Sequence, residues 1–487
     1  MPIANVNITL LDGALGVLPS NLVGHIAVVA GPASKGPLLQ PVAFARPADI
    51  ETNFGYGAGV ELGCATIGRP AKACVFMRTD TTSVGAYGAI DSTNVDGTSV
   101  PTADAAVEPY DEYEPYVKVI AGGTIGVDGI TYQHSLDGGR TMSATTKLGT
   151  DNHITFPTGN VKFDLAAGTL VAGDYWFTRT TGPQENASDF SDARTAIAEM
   201  GYDWDFAAFA TPMGGSEVGS FDTWLESLWA AGDRKAARLN ARGPAVGESE
   251  ATWIASLAAD FSGVTSKRIA VSAGYCEFSS SAVGARKYRR PAGWISTARA
   301  LKLAKPWKTD LGQVDLGNLG GDVKIKNAAG RKAGLHDESL DPGLDALGFE
   351  TLTSLKGRKG AYVTTPRVLA NIGSDYYLWQ YVAVTNRAAA ACGSRLLSRC
   401  RKNIFVSPST GYITTPEAKD INKEVEAEVR NAVGDSVSAQ SFAVGQTDNL
   451  LAQNSVVTGA LRIVPLAYPA GFDITMGFVN PATGVVA

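Results

Sequence analysis

Imidazole is scarce in this chain: His25, His134, His153 and His336 are the whole supply in 487 residues, and none stands in an HExxH or a plausible i, i+4 metal pair. His25 opens an apolar strand, where a structural histidine is the expectation. His336, in Leu335-His336-Asp337-Glu338, reads as a solvated loop residue. Cys64, Cys74, Cys276, Cys392 and Cys400 have neither CxxC spacing nor a neighbouring histidine pattern, so zinc and thioredoxin-type chemistry are unsupported and buried, inert thiols are the default. Gly31-Pro32-Ala33-Ser34-Lys35-Gly36 follows a strand and contains a lysine. Its spacing does not match G-x-x-x-x-G-K-[ST], and two prolines, Pro32 and Pro37, remove backbone donors that a phosphate needs.

Ser135-Leu136-Asp137-Gly138-Gly139-Arg140-Thr141 resembles the Asp-box turn of β-rich carbohydrate proteins, a turn that is structural even there. A Ser and an Asp flanking glycines stabilise a tight hairpin through side-chain to backbone hydrogen bonds. Met142 stands where that motif ends in an aromatic residue, and the motif occurs once. Carboxylate pairs such as Glu112/Glu114 and Asp203/Asp205 have the period of solvated strand or loop faces and do not define a glycosidase. No catalytic, cofactor or metal site emerges, and the reading is of a protein that is not an enzyme and needs no cofactor.

The elements around these residues spell out a multidomain protein. The length favours about three domains, and 45% apolar with 18% charged residues describes a well-packed globular chain whose low charge suits a surface partly covered by other subunits. Net charge is -6 with dispersed basic residues, so nucleic acid is not an expected partner. No apolar run approaches the ~20 residues of a membrane span, and Met1 to Val6 lacks the features of a signal peptide; synthesis in a cytoplasm is expected.

Val6-Asn7-Ile8-Thr9-Leu10-Leu11 alternates as a strand without an adjacent hairpin partner. The apolar run His25 to Ala30, a helix from Pro47 to Phe54 ended by Gly55, a helical patch from Glu61 to Ile67 and the run Ala73 to Arg78 give α/β grammar. From Thr81 to Gln184, Gly, Thr, Ser and Asp dominate between alternating runs such as Tyr116 to Ile120 and Asp174 to Thr178, which predicts an inserted all-β module. Helices return over Asp192 to Met200, Phe221 to Ala231 and Glu248 to Asp260, with strands at Phe206 to Ala210 and Arg268 to Ser272. A long helix is predicted from a Ser374/Asp375 cap to Lys402, and another opens at Thr415-Pro416, burying Ile421, Val425, Val429 and Val433. Leu461 to Leu466 and Phe472 to Phe478 alternate as closing strands, the second with Phe472, Ile474, Met476 and Phe478 on one face.

Two stretches, His25 to Thr79 and Gly360 to Phe478, carry an order of elements that resembles contractile phage tail-sheath proteins and related injection systems. The resemblance implies an α/β and α+β multidomain fold: a tail-sheath-like core with an inserted all-β module and extended terminal arms. It gives an N-terminal arm at 1–22, a discontinuous α/β sheath domain at 23–80 and 186–358, an outer β-rich module at 81–185, an inner sheath domain at 359–470, and a C-terminal strand and arm at 471–487. It further implies a helical homopolymer around a tail tube protein, with baseplate and tail-terminator proteins as further partners, located in the virion tail after assembly in the host cytoplasm. Contraction would drive the tube through the host envelope without nucleotide. The strands of Val6, Ile8 and Leu10 and of Phe472, Ile474, Met476 and Phe478 would join subunits, since an orphan strand is a liability in a monomer and a joint in a polymer.

A virion leaves a reducing cytoplasm, so all five cysteines become candidates for intersubunit disulfides. Cys392 and Cys400 lie about 12 Å apart along one helix and cannot pair with each other within it. Two other readings compete: a different virion or surface-layer structural protein, and a carbohydrate-binding β-module protein.

Overall fold

The computed structural model describes residues 26–67, 73–245, 247–279, 287–302, 323–325, 334–357, 360–371, 373–400, 402–451 and 457–467. The chain divides into two compact units, Met1–Ala390 and Ala391–Ala487. The helices in chain order are α1 (Pro47–Phe54), α2 (Ala58–Thr66), α3 (Ala187–Glu199), α4 (Gly215–Ala230), α5 (Glu250–Asp260), α6 (Ala292–Lys302), α7 (Trp379–Arg399) and α8 (Thr415–Val433). None of the described helices is long and apolar enough to cross a membrane.

The first unit is organised by a six-stranded sheet in the order Ile269–Ser272, Ala236–Asn240, Phe206–Phe209, Ala27–Gly31, Cys74–Arg78, Val42–Phe44. All neighbours are parallel except the last pair. Parallel strands need both faces covered, and their side chains divide accordingly. Ala27, Val29, Phe76 and Phe206 join α1, α2 and α6 in one buried cluster, while Val28, Ala30, Met77 and Phe209 join α3, α4 and α5 in another. Phe190, Phe209 and Phe221 meet edge to face at 4.9 to 5.9 Å in the second cluster.

Local signals account for most helix ends. Pro47 starts α1, and Gly55, at φ 77°, ends it. α3 begins five residues earlier than Asp192, because Asn186 and Asp189 form a reciprocal capping box. α7 begins at Trp379, later than the Ser374 cap, because the Ser374 carbonyl and hydroxyl close a turn over Tyr376 and Tyr377 instead. The division into compact units falls inside α7, and Ala361, Val363, Val368, Trp379 and Val382 lie in the core of the first unit.

Between Cys74–Arg78 and α3 the chain builds antiparallel sheets. One runs Thr146–Lys147, Thr131–Ser135, Tyr116–Ala121, Tyr175–Phe177, Asp91–Asn94; another runs His153–Thr155, Lys162–Leu165, Pro101–Ala103. Val117, Phe163 and Trp176 centre a third core. Ser83 and Gln184 exchange backbone hydrogen bonds of 3.1 and 2.9 Å at the neck of this module. A further hairpin, Tyr275–Ser279 with Lys287–Pro291, precedes α6.

In the second unit α8 buries Ala418, Ile421, Val425, Val429 and Val433, the face set by four-residue spacing. It backs a two-stranded antiparallel sheet of Val437–Val444 and Gly459–Pro465. The partner of the closing strand is therefore Val437–Val444. The expected strand Phe472 to Phe478 lies outside the described residues.

Candidate functional site: a charged cleft and an open sheet edge

Strand order reverses between Ala27–Gly31 and Phe206–Phe209, and in open α/β sheets the crevice at the carboxyl ends of such strands is the usual place for a site. A cavity of about 470 Å³ opens there, lined by Ala58, Thr211 and Trp294 on the sheet side and by Tyr87, Glu112 and Arg179 from the β module. The Gly31 to Gly36 loop is not built as a cradle. Ser34 N–H and Lys35 N–H donate to Tyr56 O and Phe54 O, and Arg78 donates to Gly36 O.

The cleft is walled by ion pairs. Arg290, from the hairpin before α6, grips Glu61 of α2 with Nε–Oε2 of 2.7 Å and Nη2–Oε1 of 3.1 Å, and both side chains are only 2% exposed. It also reaches the β module, at Asp111 Oδ2 (3.4 Å) and Glu112 O (2.5 Å), while its guanidinium lies over the Tyr288 ring at 4.6 Å. Burial works against the Arg290 charge, but Glu61 and Asp111 hold its pKa well above the ordinary value. Burial pushes Asp111 up to about 7, against the pull of Arg290. Arg289 stacks on Tyr275 at 4.2 Å and pairs with the Glu112 carboxylate. Glu114 meets Arg140 at 2.5 Å and Arg179 at 3.5 Å, and Arg140 reaches Glu277 of the hairpin at 2.5 Å. These carboxylates are committed to guanidinium partners, an arrangement that fixes surfaces together. Among the described residues no group of three or more His, Cys, Asp or Glu could hold a metal ion.

His336 corrects the sequence reading. It is buried, with Nδ1 2.5 Å from Glu250 Oε1 and Nε2 2.9 Å from Glu338 Oε2, because α5 delivers Glu250 from 86 residues away. Burial disfavours its charge, yet the two carboxylates raise its pKa to about 9. A raised pKa stabilises the folded state fully below the unfolded value near 6.5, and that contribution is lost as pH rises through about 9. Asp111 and Glu185, each pushed to about 7 by burial, cost stability mainly as pH rises from about 4 to 7, and only the tail of that change falls above pH 7. Denaturant titrations of the unassembled chain are therefore expected to lose on the order of 3 kcal/mol between pH 7 and 9.5, and His336→Gln is expected to flatten that slope. An equal slope in the variant would contradict the assignment.

The Ser135 to Thr141 turn is structural. Ser135 Oγ accepts from Asp137 N and Gly139 N, Asp137 Oδ1 accepts from Thr141 N, and Gly138 and Gly139 take positive φ. The five thiols form no disulfide within the chain. Cys64, Cys74 and Cys276 are at most 2% exposed in the sheet core, and burial pushes Cys74 up to about 12 and the other two higher still. As crosslinks between subunits these three are withdrawn, since a second chain cannot reach them in the folded state. Cys392 is 8% exposed on α7, and Cys400 is exposed. Val6, Ile8, Leu10, Phe472, Ile474, Met476 and Phe478 lie outside the described residues, as does His25.

One site the sequence reading missed is the edge of the second unit's sheet. Gly445 N–H donates to Thr458 O, so in the same register Ala443, Ser441 and Ala439 face Ala460, Arg462 and Val464 as hydrogen-bonded pairs. Phe442 N–H and Val444 N–H point the other way and are taken by Glu426 Oε1 and Asn422 Oδ1 of α8, each at 3.0 Å. One edge of the sheet is thus plugged. On the other, the backbone groups of Gly459, Leu461 and Ile463 face outward, with no strand beside them among the described residues.

The geometry defines a class: a doubly covered, mainly parallel α/β sheet with an antiparallel β appendage and a small α+β unit. No family model matches the chain, and no curated protein matches it. Among solved structures it is similar to a sheath tail protein from Desulfitobacterium hafniense (12% identity, 94% of this chain and 100% of that one, TM-score 0.46). It is also similar to a sheath tail protein from Listeria innocua (13% identity, 90% and 94%, TM-score 0.43) and to the contracted helical sheath of the anti-feeding prophage (12% identity, 99% and 100%, TM-score 0.47).

Proposed function

We propose that the chain is a structural, non-enzymatic subunit of a contractile sheath: it polymerises helically around a tail tube and shortens to drive that tube through a host envelope. The observation that carries this reading is the half-plugged sheet of Val437–Val444 and Gly459–Pro465. An edge left open beside one that is closed by Glu426 and Asn422 is a socket for a strand from another subunit. The alternating segments around Val6, Ile8 and Leu10 and around Phe472, Ile474, Met476 and Phe478 are the strands to fill it. Exposed apolar residues of the same unit support a covered surface: Leu397, Phe405 and Leu451 are each at least 70% exposed. The partners are further copies of the chain, a tail tube protein, and baseplate and tail-terminator proteins; the site of action is the virion tail, after assembly in the host cytoplasm. Electron microscopy of the purified chain tests the reading, with helical tubes the expected product.

The disulfide proposal narrows to Cys400, with Cys392 behind it on α7. Non-reducing electrophoresis of assembled particles is expected to give a dimer band that Cys400→Ser removes. Monomer alone in the wild type would end the proposal.

A further inference from the structure

The β module carries a core to which the hairpin across the seam adds Tyr288, and it joins the rest of the first unit covalently only through the segments around Thr79 to Ser83 and Gln184 to Asn186. At that neck Thr79 Oγ1 donates to Glu185 at 2.7 Å, and Asp189 of α3 accepts from the Thr82 N–H and hydroxyl. Beyond the neck, the ring contacts that cross are Tyr288 on Tyr113 at 5.7 Å and Tyr56 on Tyr110 at 5.4 Å. The rest of the junction is charge and space. The module brings Asp111, Glu112 and Glu114 with Arg140 and Arg179. The facing side brings Arg289, Arg290 and Lys324 with Glu61 and Glu277. The excess of carboxylates on one side answers the excess of cations on the other, and the cavity of about 470 Å³ lies along the same seam.

We infer that the Arg289–Arg290 strand is an electrostatic clamp that sets the orientation of the β module, and that breaking it undocks the module while both cores stay folded. Arg290 is the centre of the clamp because its side chain, only 2% exposed, holds a sheet-side carboxylate, Glu61, and two groups of the module, Asp111 and Glu112 O. Removing one partner of a buried pair leaves an uncompensated charge, and that is among the costliest single changes in a protein. A well-packed apolar interface would pass this cost to the whole fold. Here, parting the seam rehydrates Glu61 and Asp111, and the apolar surface it exposes centres on Tyr113 and Tyr288, so opening is the cheaper response. The Tyr288 and Tyr56 contacts are the apolar part of what is lost.

Hydrogen–deuterium exchange of the full chain, read by mass spectrometry, tests this with Arg290→Met and the milder Glu61→Gln. Junction segments around 83–88, 111–115 and 179–184 are expected to exchange on the order of a hundredfold faster in Arg290→Met, and less so in Glu61→Gln. Strands Ala27–Gly31 and Phe206–Phe209 of the sheet and Tyr116–Ala121 and Tyr175–Phe177 of the module should keep their wild-type protection. Loss of protection in both cores together, or failure of both variants to fold, would show one cooperative body and overturn the clamp. Unchanged exchange at the junction would overturn it equally.

Discussion

Deleting Met1 to Asp12 is expected to yield a folded monomer that no longer polymerises. The deleted segment contains the alternation of Val6, Ile8 and Leu10, which has no hairpin partner in sequence. The sheet core begins later: Ile26 is anchored by Asp205 Oδ2 at 3.2 Å, and Ala27 starts the first strand. On the proposed reading the loss falls on the joint, and it spares the described core. A strand added to an open edge contributes several main-chain hydrogen bonds, each worth about 1 kcal/mol net, so a polymer that repeats the joint at every subunit collapses without it. Sedimentation should show a single slow species, with far-UV circular dichroism close to that of the full chain. Tubes formed by the truncated chain would contradict the arm as the joint.

The receiving side is tested by Leu461→Pro. Phe442 stands opposite Leu461, and its N–H is turned away from the sheet toward Glu426, so the backbone groups of Leu461 face the open edge. Proline there removes a donor that the hairpin does not use, a position at which edge strands tolerate it. The bonded pairs Ala443 with Ala460 and Ser441 with Arg462 remain. Assembly is expected to weaken, the critical concentration rising at least about tenfold from one lost hydrogen bond and the steric block of the ring, with the unit still folded. Arg462→Pro is the contrasting change, because it removes a bond inside the hairpin and should lower thermal stability as well. Equal assembly by Leu461→Pro and the wild type would mean that nothing adds to this edge.

The parts of this protein legible in its sequence are those whose instructions are local. Pro47 and Gly55 bracket α1, Pro416 and the four-residue spacing from Ile421 to Val433 fix α8, and the turn at Ser135 to Thr141 holds itself together. Elements whose polar residues are buried by distant partners were not legible. Ala236–Asn240 is a central strand although it carries Arg238 and Asn240. Arg238 is tolerated because Glu350 meets it at 2.5 Å and Trp379 lies under its guanidinium. The charges of Arg289 and Arg290 find their partners, Glu112 and Glu61, on distant elements, and His336 reads as solvated until Glu250 arrives from α5. Val437–Val444 gives no apolar run to read, because only Phe442 and Val444 of its eight side chains are buried.

The central claim is that subunits are joined by strands added at Gly459–Pro465. Helical reconstruction of the purified full chain by electron cryomicroscopy addresses it most directly. The account predicts tubes in which a strand from a neighbouring subunit runs hydrogen-bonded along the outward backbone groups of Gly459, Leu461 and Ile463. Tubes with that edge bare, or a chain that stays monomeric at concentrations that saturate assembly, would contradict it.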